Sequence, residues 1–567
     1  MKKIELLAPA GSMASLKAAV SKGADAVYLG MERFSARGYA RNFNDKFLSE
    51  AVSICKPRGI QIYLAMNTLV KNDEIDSFFD QLSFAYSKGI DAVIIQEISF
   101  LGVIRQNYPD LKVHISTQAG VLNSRHANLF SKSDRITLAR EITEDEIRYI
   151  RNNFSKELEI FCHGALCASF SGSCLFSSFL GGRSGNRGRC AQPCRKKYNG
   201  CYYLSTKELC LIDKIPSMIE LKIDAVKIEG RMRTPGYVAA ATDSYRKAID
   251  LYYSDGSTVP KEILNNLHNA FSREFTEGVF SRQDNIFNRD DSKGIVSNNR
   301  REFYNVEPSS YRQERKAPKV RLSFEPKQNK ESMLLVRAYN KKDAILAEKS
   351  GADIIYFDIF DKQFWDLKEI LNCRLFGVVP RLLLDQDIDK INSMLNNGKP
   401  DGILSGNLGL CKLGIPVHLD FNLNCFNDND INYFTNKGCI PIVSPELSLG
   451  ELKKLNNKNF IVFVHGKIRL MTFRHNLCDG ELIDEKGARF LVNPVRNGSE
   501  LLNYKELGML SKSCSLFKCG ITKFFVDTDK DVGEIVSFYR SVLDGNKVDD
   551  SKLMKKYVLG WSYKGVI

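Results

Sequence analysis

Eight short β-rich runs alternate with amphipathic stretches over about the first 250 residues, a polar or glycine-rich loop follows each run, and much of this pattern recurs in the second half. Strands alternating with helices predict a parallel sheet wrapped by helices, and eight of them in about 250 residues predict a (β/α)8 barrel. The predicted fold class is α/β: an N-terminal TIM-type barrel followed by a degenerate second barrel-like repeat. An open doubly wound sheet gives a similar local pattern. The loops favour the barrel, which gathers its functional loops on one rim.

The first predicted strand covers residues 4–8 and leads into Pro9-Ala10-Gly11. Residues 26–29 precede a loop over 33–41, and residues 60–65 lead to Asn67. Residues 92–95 precede Gln96-Glu97, residues 112–116 precede Thr117-Gln118, and residues 135–138 precede Arg140-Glu141. Residues 158–161 end at His163-Gly164, and residues 225–228 end at Glu229-Gly230-Arg231. Any one of these loops is what a helix cap requires; eight converging on one rim point to a site.

The second half repeats the first in order. Leu6-Leu7-x-x-Ala10 followed by Gly23-Ala24-Asp25-x-x-Tyr28 recurs as Leu334-Leu335-x-x-Ala338 followed by Gly351-Ala352-Asp353-x-x-Tyr356. Val113-His114 recurs as Val417-His418, His163-Gly164 as His465-Gly466, and Lys207-Glu208-Leu209 as Lys505-Glu506-Leu507. Duplication of a barrel-like unit is the expectation. It sets boundaries at 1–254 for the first barrel, 255–330 for an intervening subdomain or linker, and 331–567 for the degenerate repeat. The second copy has lost the sulfur: Cys167 and Cys174 fall opposite Arg469 and Asn476, and Glu229-Gly230-Arg231 is replaced by Asp527-Thr528-Asp529. The first copy is therefore expected to do the chemistry and the second to bind or position substrate.

The chain holds 81 Lys and Arg against 67 Asp and Glu, a formal net charge of +14, with 43% apolar and 26% charged residues. That composition excludes global disorder and a single small module. Glu5 and Pro9 interrupt the N-terminal apolar stretch, and no run approaches a membrane span, so a cytoplasmic protein without membrane partners is expected. Fifteen cysteines in such a chain are expected as thiols or metal ligands.

Seven of the cysteines fall between residues 162 and 210. Cys167, Cys174, Cys190 and Cys194 supply four soft thiolates from one loop-rich segment, a set that serves an iron–sulfur cluster or a structural zinc, or else remains unliganded. The wide spacing favours the cluster over zinc knuckles. The same segment carries Arg183, Arg187, Arg189, Arg195, Lys196 and Lys197 with no acidic residue from 183 to 197. Cations interleaved with glycines let backbone approach an anionic partner, and nucleic acid is the partner expected. Cys162 and His163 are adjacent on a strand, where successive side chains point to opposite faces, so they do not form a catalytic dyad.

The chain resembles the U32 family, historically labelled collagenase-like peptidases. The likeness rests on Leu7-Ala8-Pro9-Ala10-Gly11, on residues 159–167 (EIFCHGALC) with Ser171-Gly172-x-Cys174, on Gly188-x-Cys190-x-x-x-Cys194, on Lys227-Ile228-Glu229-Gly230-Arg231-Met232, and on Phe275-Thr276-x-Gly278. The degenerate second half resembles the family's longer branch, which includes a 23S rRNA 5-hydroxycytidine synthase; the shorter branch includes tRNA 5-hydroxyuridine synthases. The resemblance implies a TIM-type barrel, a [4Fe-4S] cluster on Cys167, Cys174, Cys190 and Cys194, with Cys201 or Cys210 as alternative fourth ligands, and oxygen-independent C5-hydroxylation of a pyrimidine in RNA with prephenate as anionic co-substrate. On that reading His163, Glu229 and Arg231 are the candidate catalytic residues. Arg37, Arg41, Arg183, Arg187, Arg189, Arg195, Lys196 and Arg233 are the candidate anion- or RNA-binding residues. The alternative is a peptidase, as the family label asserts, although the sequence holds no His-Glu-x-x-His and no Gly-x-Ser-x-Gly.

Overall fold

A computed structural model describes residues 3–256, 258–270, 273–283, 286–290, 304–311, 315–328, 331–477, 480–546, 548, 557–560 and 565–566. These group into two compact units. The first comprises Met1–Cys174, Gly185–Leu322 and Ile483–Gly487; the second comprises Leu175–Ser184, Ser323–Leu482 and Ala488–Ile567. Most of the segment expected to intervene between the copies thus groups with the first unit. Phe271 and Ser272 before the Phe275 motif, and residues 312–314 of the basic stretch before Arg321, lie outside the described residues.

The first unit contains strands β1 (Glu5–Ala10), β2 (Ala26–Leu29), β3 (Gln61–Met66), β4 (Ala92–Ile95), β5 (Lys112–Ile115), β6 (Arg135–Thr137), β7 (Glu157–Ala165), β8 (Glu208–Cys210), β9 (Ala225–Ile228) and β10 (Phe275–Thr276). Strands β1 to β7 pair in parallel in sequence order, and β9 closes the ring by pairing in parallel with both β7 and β1. All eight predicted barrel strands are present. Most of their residues are buried on both faces, as in the wholly apolar Ala92–Ile95, because helices cover the outside and side chains fill the inside.

The interior is layered. Leu7, Ala26, Tyr28, Tyr63, Ala92 and Ile94 form one apolar cluster. Below it, toward the strand N-termini, the buried Arg135 guanidinium bonds Glu5 at 2.7 and 3.0 Å and Glu157 at 2.7 Å, and lies 3.3 Å from Glu159. Lys227 reaches the same Glu159 at 2.9 Å. Every charge in this plug has a partner, which is the condition for burying charge at all. It lies at the end of the barrel associated with stability, leaving the opposite rim for chemistry.

Strands β8 and β10 were not legible in the periodicity. β7 runs on past the ring to Ala165, where Gly164 adopts φ +103° and a Cβ would collide with the carbonyl oxygen of Glu229. The extension pairs antiparallel with β8, and β10 adds to β8. Tertiary pairing, not local pattern, makes these short strands.

The second unit repeats the plan with β11 (Met333–Arg337), β12 (Ile354–Asp358), β13 (Arg374–Val379), β14 (Gly402–Ser405), β15 (Val417–Leu419), β16 (Cys439–Pro441) and β17 (Val462–Gly466). There follow β18 (Arg469–Phe473), β19 (Gly480–Ile483), β20 (Arg489–Val495), β21 (Gly498–Leu502), β22 (Leu507–Gly508) and β23 (Lys523–Asp527). β11 to β16 pair in order, β23 joins β11 to β17, and a bridge between Ile442 and Ile461 links the β16 and β17 sides. Gly466 takes φ +127° against the Asp527 carbonyl, reproducing Gly164 against Glu229, and β22 lies antiparallel to β17 as β8 does to β7. The His-Gly and Lys-Glu-Leu repeats therefore mark one local structure built twice. A sheet in the order β18-β21-β20-β19 follows β17, at the place where the first copy carries its cysteines. Among the described residues, no helix is long and apolar enough to cross a membrane.

Candidate active site

The rim at the C-terminal ends of the first barrel's strands is built on Glu229, the residue after β9. It is 8% exposed. Its Oε1 accepts hydrogen bonds from Arg37 Nε at 3.1 Å and Nη2 at 2.9 Å, and its Oε2 accepts from the Tyr28 hydroxyl at 3.2 Å. Burial would raise its pKa, but the charges of Arg37, Arg140 and Arg231 outweigh that and hold it down at about 2. Arg231 and Lys227, each two positions away, are its cationic neighbours in the sequence. The structure pairs it with Arg37 from the β2 loop, Lys227 being engaged by Glu159.

Arg231 is 3% exposed and donates from Nη2 to Ser35 Oγ at 2.5 Å and Asn42 Oδ1 at 2.8 Å, while its buried Nε has no partner. Burial is the main cause that pushes its guanidinium down to about 10. A Cβ on Gly11 would collide with the Arg231 carbonyl oxygen, so the Pro9-Ala10-Gly11 motif is a matter of space. Arg140 completes the cationic surround: it stacks on Phe161 at 4.6 Å and donates to the Ala165 carbonyl at 3.1 Å.

His163 is enclosed by the rings of Tyr237, Tyr245 and Phe275, with centroids 5.8, 5.5 and 5.5 Å away. Burial, helped by Arg233, pushes its imidazole down to about 3, so it is neutral near pH 7. Cys162 turns elsewhere: its Sγ contacts the Lys227 carbonyl oxygen at 3.5 Å, and burial raises its thiol well above the usual range.

The cysteine-bearing loop lies against this rim. Gly188 takes φ +78° against the Ser35 carbonyl, Gly38 donates to the Gly188 carbonyl at 3.2 Å, and Leu69 donates to Asn186 at 3.0 Å. Cys194 lies within electrostatic reach of Cys190 and Cys167; burial pushes its thiol up to about 12, Arg195 opposes, and the two neighbouring sulfurs add to the rise. Cys167 in turn bears on Arg37. Cys210 is instead buried beside the Tyr245 hydroxyl at 4.0 Å. Among the described residues, no three His, Cys, Asp or Glu side chains converge into a ready metal site.

The basic residues divide. Arg187 clasps Glu74 with two bonds of 2.8 Å and also donates to the Leu69 carbonyl. Arg195 ties down Ser205 and Thr206, and Arg233 bonds Glu208 at 2.8 Å. These three are occupied in folding the loop. Arg41, Arg189, Lys196 and Lys197 are exposed, Arg189 lying over Tyr39 at 5.7 Å. Arg183 is half-buried in the second unit. Sequence reasoning missed Tyr28, Ser35 and Asn42: Tyr28 reads as a core strand residue and a repeat position, and the loop polars carry no spacing signal.

A closed (β/α)8 barrel with a buried charge network on its rim beneath a four-cysteine loop is the class defined so far. Residues 11–289 match the model of peptidase family U32. Over 308 residues the chain is 38% identical to an uncharacterized protease of Methanocaldococcus jannaschii, covering 50% of this chain and 75% of the relative. It is 35% identical over 311 residues to tRNA hydroxylation protein P1 of Bacillus subtilis, covering 50% and 74%. It is also 34% identical over 261 residues to the 23S rRNA 5-hydroxycytidine C2501 synthase of Escherichia coli, covering 44% and 39%. The chain belongs to the U32 family.

Proposed function

We propose that the first barrel is an RNA-modifying enzyme that replaces the C5 hydrogen of a pyrimidine by hydroxyl without molecular oxygen, in tRNA or rRNA. The observation that carries this reading is the Arg37–Glu229 pair on the rim beside Cys167, in a chain similar to relatives named for tRNA hydroxylation and rRNA 5-hydroxycytidine synthesis. Cys167, Cys174, Cys190 and Cys194 would hold a [4Fe-4S] cluster, a thiolate-bound group that supplies one-electron chemistry. The chemistry of the donors fits, four soft sulfurs on one loop with Cys194 in electrostatic reach of Cys190 and Cys167, while among the described residues the side chains do not converge and Cys210 is engaged beside Tyr245. Because one loop carries all four ligands, cluster binding and closure of that loop would be coupled.

Glu229 is an anion and His163 a neutral ring near pH 7, so neither has the near-neutral pKa of an efficient proton shuttle. Glu229 instead orients Arg37, and Arg37 and Arg231 present cationic N–H groups to an anionic co-substrate such as prephenate. A pyrimidine in structured RNA reaches the rim only when splayed from its stack, and the exposed Arg41, Arg189 and Lys196 would hold the phosphates beside it. Nucleoside mass spectrometry of RNA from a deletion strain, complemented with wild type or Glu229→Gln, tests the reading. Loss of one 5-hydroxypyrimidine, restored by wild type only, is expected; an unchanged RNA profile with loss of a proteolytic activity would establish the peptidase instead.

A further inference from the structure

The second barrel has a cavity of about 670 Å³ at the same rim, lined by residues at or beyond the ends of β11, β13, β15, β17 and β23 and by the β18–β21 sheet. Its floor is polar and buried. Arg381, with 5% of its side chain exposed, donates from Nε to Asp420 at 2.9 Å and lies 3.8 Å from Glu500. Arg469, with 4% exposed, donates from Nη2 to Asp527 at 2.7 Å and lies 3.3 Å from the other oxygen of Glu500. Glu500 therefore stands between the two guanidiniums.

Two of the three carboxylates on this floor are taken. Asp420 also accepts from the Phe421 amide at 2.8 Å, and Asp527 from the Tyr339 hydroxyl at 2.5 Å. The donors are in surplus: Arg381 Nη2 and Arg469 Nη1 are buried without any partner. Arg337, which bears electrostatically on Asp420 and Tyr339, brings the floor to three guanidiniums against three carboxylates. A buried N–H left without an acceptor costs about 1–3 kcal/mol, so the floor is built for an oxygen that is not part of the chain. Barrels commonly seat anionic groups at the loops after their seventh and eighth strands, which here are β17 and β23.

We propose that this cavity binds a small molecule with one oxyanion, a carboxylate or a phosphate monoester, seated between Arg381 and Arg469 with its body against Val378, Leu404, Leu491 and Leu502. The volume suits a small ligand. With Asp358, Glu506 and Asp529 added, six carboxylates line the cavity against five cations, Lys467 and Arg496 among them, which disfavours a polyanion such as RNA. The inference goes beyond the RNA-modification reading and does not rest on it, since the cavity belongs to the second unit and binding is measured without RNA.

Isothermal titration of the full chain with benzoate and, separately, inorganic phosphate tests it, the stronger probe telling the carboxylate class from the phosphate class. One site per chain with Kd on the order of 1 mM or tighter is expected for one of them. Arg381→Gln and Arg469→Gln should abolish it. Because those buried changes risk the fold, Arg337→Gln and Lys467→Gln, at half-buried positions, should weaken binding several-fold with an unchanged unfolding midpoint. Absence of binding by both probes, unaltered binding in all four variants, or competition by a short RNA oligonucleotide in preference to either probe would overturn the proposal.

Discussion

Arg37 and Glu229 stand 192 positions apart in the chain, yet the guanidinium grips one carboxylate oxygen from two nitrogens, at 3.1 and 2.9 Å. The contact joins the loop after the second barrel strand to the residue after the last. It makes Glu229 a fixed anion and holds the Arg37 guanidinium in one orientation. Glu229→Gln keeps the shape and removes the charge, leaving Arg37, Arg140 and Arg231 without their counter-ion. RNA hydroxylation should be lost while the fold survives with a cost of about 1–3 kcal/mol. Full modification by folded Glu229→Gln protein would refute the role.

Acid should destabilise the protein well before the carboxylates of an ordinary surface titrate out. Burial holds His126 and His418 at about 3, against 6.5 for an exposed imidazole. Between those values the unfolded chain binds protons that the folded chain refuses, so stability falls as pH drops from about 6.5 toward 3. Glu229, held at about 2 against 4.5, contributes stability that is complete above its unfolded value and is lost as pH falls further through 2. Urea midpoints at pH 7, 5.5 and 4.5 should decline in that order; a flat series would contradict the buried neutral histidines.

Anaerobically purified protein should be brown and carry about four irons per chain, the content of a four-thiolate cubane. Cys167→Ala and Cys174→Ala should remove the colour, and Cys514→Ala and Cys519→Ala should keep it. Cys210→Ala should keep it too, because that thiol sits beside Tyr245. Colourless protein with one zinc would replace the cluster by a structural metal.

RNA binding should depend steeply on salt through the exposed cations. Replacing Arg41, Arg189 and Lys196 by Gln should lower the slope of log K against log salt by about one for each phosphate no longer neutralised. Arg187→Gln should leave the slope alone and destabilise the loop, because Arg187 is held by Glu74. A reduced slope in Arg187→Gln alone would show that this ion pair opens to take up phosphate.

Gly164→Ala should cost on the order of 1–3 kcal/mol, since a side chain there meets both a left-handed φ of +103° and the Glu229 carbonyl. Gly466→Ala should cost a similar amount in the second unit for the same reason. Differential scanning calorimetry would detect both; two neutral substitutions would mean that the strand ends move apart freely.

Much of this protein is legible in the residues because its repeating physics is local. Strands buried on both faces must be apolar for four or more residues, so the eight barrel strands, the order of the repeat and the loss of sulfur from the second copy are all written in the chain. The glycine motifs are legible as motifs, and their cause, a backbone approaching within collision distance, is not. What the tertiary structure alone decides is which charges meet. Arg187, Arg189 and Arg195 belong to one basic run, yet one is clasped by Glu74, one lies exposed over Tyr39 and one is spent on Ser205 and Thr206. Glu229 has Arg231 two positions away and takes Arg37 instead. The unpartnered donors of Arg381 and Arg469 sit on a floor that six separate stretches of chain bring together. Pairing energies between charges depend on their separation in space, their burial and who else is present, so sequence neighbours carry no preference until the barrel has closed.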